Sequence, residues 1–143
     1  MAANSATLSA PSASKALTIG LWVVQVLLAL AFCAAGFTKV FTPFAELATP
    51  MPWTQAMPEA LVRFIGLSEL LGGIGLVLPS LTRIKPMLTP LAAAGLVLVM
   101  VLAAGFHASR GEWSGLPVNF TLGALAAFVA WGRSRKAPIA ARV

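Results

Sequence analysis
The stretch LVRFIGLSELLGGIGLVLP, Leu61 to Pro79, is long and apolar enough to cross a bilayer, yet it holds a carboxylate, Glu69. A helical span needs about 20 mainly apolar residues. An ionisable group inside one costs at least about 2.5 to 3.5 kcal/mol on insertion scales, so it faces protein or trapped water and carries a role there. Reading outward from Glu69 therefore asks for further spans that could shelter it.

Three segments meet the length requirement plainly: 16–40, 61–79 and 87–107. A fourth, 116–131, is shorter, about 24 Å at 1.5 Å per residue, and crosses with local thinning or snorkelling at its ends. Trp113 and Trp131 bracket it as interfacial anchors, and Arg133, Arg135 and Lys136 stop it. The expected fold is all-α, a four-transmembrane-helix bundle. Its membrane domain runs over 16–132, between a small, polar, disordered N-terminal tail (1–15) and a basic tail (133–143). The composition agrees: 59% of the 143 residues are hydrophobic and only 10% charged, where soluble domains carry about a quarter charged.

The net charge of +6 does not point to nucleic acid, because the basic residues lie between and after apolar runs rather than in a stripe interleaved with aromatics. They act as topology signals. With four spans, Lys15, Arg83, Lys85, Arg133, Arg135, Lys136 and Arg142 share one side, against Lys39, Arg63 and Arg110 on the other. The positive-inside rule then puts both termini in the cytoplasm. The connection 42–60 contains Pro43, Pro50, Pro52 and Pro58 and is long for a hairpin between packed helices. It either covers the mouth of the bundle or forms an ordinary flexible loop.

Polar residues recur on faces that also present small ones. Span 1 offers Gln25, Phe32, Ala35, Gly36 and Lys39. Span 2 offers Gly66, Glu69 and Gly73, span 3 Met100, Ala103, Ala104 and His107, and span 4 Asn119, Gly123 and Ala126. Small residues let helix backbones approach in lipid, so these faces are expected to turn inward together. Lys39, Arg63, His107 and Asn119 fall near one end, with Glu69 about 9 Å deeper than Arg63, which makes these five the candidates for ligand binding or proton handling. Each has a plainer reading: Glu69 held structurally by Lys39, Arg63 and Lys39 snorkelling to headgroups, His107 a hydrogen-bonded interface residue. No catalytic residue is assigned. One histidine and one cysteine, Cys33, exclude an intramolecular disulfide and a multi-histidine metal site, and Cys33 is read as an inert buried thiol.

Three stretches together resemble the DoxX-like family of four-helix integral membrane proteins. They are Gly36-Phe37-Thr38-Lys39 closing span 1, RFIGLSELLGGIGLVLPSLTRIKPMLTPLAAAGLVLVMVLAAGFHASRGE (63–112), and Asn119 opening span 4. The resemblance covers about residues 17–132, and Lys39, Glu69 and His107 match the family's recurring polar features. It implies a protein of the bacterial cytoplasmic (inner) membrane, linked in some relatives to membrane redox systems that include a thiosulfate:quinone oxidoreductase subunit. The expected role is a noncatalytic subunit or ligand-binding component of a quinone-linked system, with a quinone-like ligand and either a redox-enzyme partner or a second copy of itself. A small proton-coupled transporter and a membrane-protein assembly factor are the alternatives.

Overall fold
Ser14 starts the first helix by accepting the Leu17 amide on its hydroxyl at 3.2 Å, which satisfies one of the donors a helix start leaves free. From there α1 (Lys15–Phe41) runs 27 residues and stops at an extended Thr42 followed by Pro43. Next comes α2 (Glu59–Thr82), which contains Pro79 and ends on Arg83 in the left-handed region, φ 61°. The last two long helices are α3 (Leu88–Ser109) and α4 (Leu116–Trp131). Pro117 sits in the first turn of α4, where its missing N–H costs nothing. The computed structural model describes residues 13–142, so most of the expected disordered tail lies outside the described residues.

Four helices are long and apolar enough to span a membrane, and large apolar side chains such as Phe37, Leu71, Leu98 and Phe120 point outward all round. An outward apolar surface of that extent suits hydrocarbon rather than water. The chain is an integral membrane protein. The fourth span is longer than its α-helical part: a π-helical turn over Gly132–Lys136 continues it, and with the turn before α4 it covers Trp113–Lys136, 24 residues.

Packing is closest where glycines meet. A Cβ on Gly36 would lie 2.6 Å from the Gly66 carbonyl oxygen and 2.7 Å from the Leu70 amide, so α1 and α2 touch backbone to backbone. Elsewhere glycines receive side chains: Gly72 takes Leu96, Gly123 takes Met100 and Gly132 takes Leu21. Leu28, Phe32, Leu76, Leu96, Met100 and Val129 form the buried core between them.

The two ends of the bundle are built differently. At the end carrying the termini, Gln25 donates to the Leu76 carbonyl at 2.6 Å, and its own oxygen accepts Arg133 Nε at 2.6 Å. Arg133 also donates to the Ala137 carbonyl and lies 5.2 Å from the Trp22 ring centroid. Ser80 and Thr89 share a 2.8 Å hydrogen bond across α2 and α3. The final residues fold back, with the Arg142 amide donating to the Arg83 carbonyl and Arg83 Nε to the Ala140 carbonyl. All four long helices are tied together there. At the opposite, loop end, α1 binds α2 and α3 binds α4, and the two hairpins part.

Replacing Gly36 by Ala should destabilise the protein by about 1 to 3 kcal/mol, because the new methyl meets backbone that cannot move aside. Gly20→Ala, at a site with nothing within 4 Å of the added carbon, should change stability by less than about 0.5 kcal/mol. Unfolding in detergent measures both, and equal effects would show that the α1–α2 contact is looser than described.

Candidate functional site
Where the hairpins part, they enclose a cavity of about 410 Å³. Its inner wall is Phe32, Ala35, Met100 and Leu122, and its polar groups are Lys39, Ser68, Glu69, His107 and Asn119. The helical spacing that aligned these residues in the sequence thus brings four of the five candidates, Lys39, Glu69, His107 and Asn119, to one chamber. Arg63 is elsewhere: its Nη1 donates to the carbonyls of Lys39, Val40 and Thr42 at 2.6, 3.1 and 2.7 Å. Those are carbonyls that the end of α1 leaves without intrahelical donors. Glu59, one turn earlier, steadies the guanidinium at 2.9 Å. Arg63 therefore caps α1 and fixes the backbone of Lys39 rather than lining the cavity.

Lys39 and Glu69 form a buried ion pair, Nζ to Oε2 at 2.6 Å, each side chain 6% exposed. The second carboxylate oxygen makes no hydrogen bond among the described residues, and Glu69 is one of the residues lining the cavity. Gly36 and Gly66 set this geometry, because a Cβ on Gly66 would come within 2.6 Å of Lys39 Cβ. Asn119 lines the cavity as well, and its Nδ2 is buried with no partner among the described residues. A buried amide nitrogen in that position calls for an acceptor.

His107 Nδ1 lies 2.8 Å from Glu112 Oε2, and Arg110 Nε donates to Glu112 Oε1 at 2.7 Å. The hydrogen bond from Arg110, helped by that from His107, holds the Glu112 carboxyl below its usual range. An ionised carboxylate only accepts, so Nδ1 carries a proton toward it. Gly115 lets the chain pass over the imidazole, where a Cβ would sit 3.2 Å from Cγ. His107 and Glu69 share the chamber without a hydrogen bond between them.

The proline-rich connection forms a roof. Two short 3₁₀ turns, Phe44–Ala48 and Pro52–Ala56, are fastened by Gln55 Nε2 donating to the Phe44 carbonyl and by the Thr54 hydroxyl donating to the Met51 carbonyl. They seat Met51, Trp53 and Met57 over the cavity. The Trp53 ring meets Phe106 edge-on at 6.2 Å and His107 at 5.9 Å between centroids, and Lys39 Nζ is 5.8 Å from its centre. Sequence reasoning missed Trp53 and Glu112. Trp53 had no helical period to align it, whereas Glu112, five residues after His107 in a short turn, was a usable signal.

A four-helix membrane bundle with an ion pair at the wall of a roofed cavity is the class these features define. The chain belongs to the DoxX-like family, whose model matches residues 23–129. No curated protein and no solved structure matches it.

Removing one partner of a buried ion pair strands the other, at about 3 to 5 kcal/mol, while replacing both with apolar residues is far milder. Lys39→Met and Glu69→Leu alone should each destabilise by about that amount, and the double variant by much less than their sum. Additive losses in a denaturation cycle would mean that the two side chains are not coupled.

Proposed function
We propose that this protein is a ligand-binding, noncatalytic component of a membrane redox system, and that its cavity holds the head of a quinone-like or similar small amphipathic molecule. The observation that carries this reading is one apolar chamber onto which a few polar side chains converge: the buried Lys39–Glu69 pair, His107 and Asn119. Apolar pockets with a few convergent polar groups are the usual form of small-molecule sites, and 410 Å³ lies within their range of about 300 to 1,000 Å³. Lys39 and Asn119 can donate to a carbonyl-bearing head, and Glu69 can accept from a hydroxyl. The redox setting is suggested by the roles of some DoxX-like relatives, and the partner, an enzyme subunit or a second copy, is left to experiment. A transporter would need a route through the end carrying the termini, which Gln25, Arg133, Ser80 and Thr89 pack shut.

The test is mass spectrometry, resolving lipids and proteins together, of the chain gently extracted from its native membrane. The native chain should carry a bound amphiphile that Glu69→Gln retains at least about tenfold less. Identical small-molecule and partner profiles for both chains would refute the proposal.

The same reading puts the end carrying the termini in the cytoplasm of a bacterial inner membrane. All four carboxylates, Glu46, Glu59, Glu69 and Glu112, belong to the loop end, with Lys39, Arg63 and Arg110, while the other end holds seven basic residues and no acid. Those counts, net −1 and +7, make up the whole +6, and the Lys and Arg bias is the part that sets orientation. In a Cys33→Ala background, Gln55→Cys should react with a membrane-impermeant maleimide in intact cells and Ala140→Cys only after permeabilisation. The reverse pattern would invert the topology.

A further inference from the structure
We propose that the ligand enters sideways from the lipid, through a gap between α2 and α3, and is therefore a single-tailed amphiphile whose tail stays in that gap. This deepens the reading of the cavity as a ligand site and rests on it.

Each of the two helices presents one continuous stripe to the other. On α2 the stripe is Leu61, Ile65, Ser68, Gly72 and Gly75, and on α3 it is Phe106, Ala103, Val99, Leu96 and Ala92, spaced by three and four residues so that each keeps one face. The halves nearer the termini touch: Gly72 receives Leu96, and a Cβ on Gly75 would be 2.7 Å from the Ala92 Cβ. The other halves do not close on each other. Leu61, Ile65 and Ser68 on one side and Val99, Ala103 and Phe106 on the other are cavity wall instead. The stripe that zips α2 to α3 thus splits partway up and leaves a slot.

The slot's rim is apolar and faces outward. Leu61 is 43% exposed, Phe64 66% and Leu102 64%, all of them bordering the cavity. Ser68, the polar side chain on this flank, spends its hydroxyl on the Phe64 carbonyl at 2.9 Å, so nothing in the rim asks for water. The top is closed by Trp53 packed on Phe106 and His107. A cavity roofed toward water and slotted toward hydrocarbon receives molecules already dissolved in the lipid. The head it suits is uncharged overall, because Lys39 and Glu69 already neutralise each other, and it is polar enough to meet Lys39, Glu69 and Asn119 on the cavity wall.

The probes are a decyl-tailed benzoquinone and its tail-less counterpart, added to the full chain in phosphatidylcholine nanodiscs and compared at matched concentration in the lipid. Binding is read as quenching of Trp53, taken as the difference between the native chain and Trp53→Phe. The tailed compound should half-quench at about tenfold lower concentration than the tail-less one. Ala103→Phe, which plugs the slot, should raise that concentration about tenfold, and Ala34→Phe, at an exposed position on α1 outside the cavity lining, should leave it within about twofold. Ser68→Leu is a second plug from the other helix, so one variant that fails to fold does not remove the test. Equal quenching by both compounds, indifference to both plugs, or a larger effect of Ala34→Phe would each overturn the sideways route while leaving the cavity a binding site. No Trp53-specific quenching by either compound, with the native chain matching Glu69→Gln, would overturn the site reading and the route together.

Discussion
The rest of the loop end depends on the contact between Gly36 and Gly66. A lysine and a glutamate on neighbouring spans meet as a tight pair only if their helix axes come close, and side chains larger than hydrogen at these two positions would hold the backbones apart. With the axes close, Lys39 reaches Glu69 while its own backbone carbonyl is gripped by Arg63. The cation that looked free to snorkel is thus fixed at both ends of its residue. The carboxylate in turn has one oxygen committed and one left over, which is what makes the pair a feature of the cavity rather than of the core.

The opposite end solves the same problem of a buried cation without an acid. Arg133 is 3% exposed and has a glutamine oxygen, a backbone carbonyl and the face of Trp22 around it. A guanidinium is less strongly hydrated than an ammonium and offers five donors in a planar fork, so several partial partners can replace one carboxylate. The Gln25 side chain is the hinge of this arrangement, because its amide bonds α2 while its oxygen bonds the end of the fourth span. One polar side chain therefore links three helices and closes the bundle there, with Nη2 of Arg133 the one buried side-chain nitrogen at this end that finds no partner among the described residues.

The architecture was readable because hydropathy and helical spacing are strong signals in lipid. The four spans follow from apolar length, and the inward faces from the recurrence of Gly36, Gly66, Gly73 and Ala126 beside polar residues. Lys39, Glu69, His107 and Asn119 line one cavity because they lie on those faces at similar depth. The details that escaped sequence reading have a common origin. Arg63 and Arg133 are basic residues at helix ends, where charge count says only that they sit near an interface, and nothing in the sequence marks which carbonyls or side chains curl round to meet them. Trp53 lies between prolines in a non-periodic connection, so its seat over the cavity depends on turn geometry that no hydrophobic pattern encodes.

A chamber of this kind also constrains how the roof and the ion pair can act together. Trp53 touches His107, and its ring stands 5.8 Å from the Lys39 ammonium, close enough for the attraction between a cation and an aromatic face. Glu112 orients His107 from outside the span, and Gly115 leaves room for the imidazole beneath the chain. The roof is thereby coupled to both hairpins: to α1 through Lys39 and to α3 through His107 and Phe106. For the proposed ligand, a head group that draws Lys39 toward itself would weaken one side of that attachment, and a tail between α2 and α3 would run past Phe106, the other side.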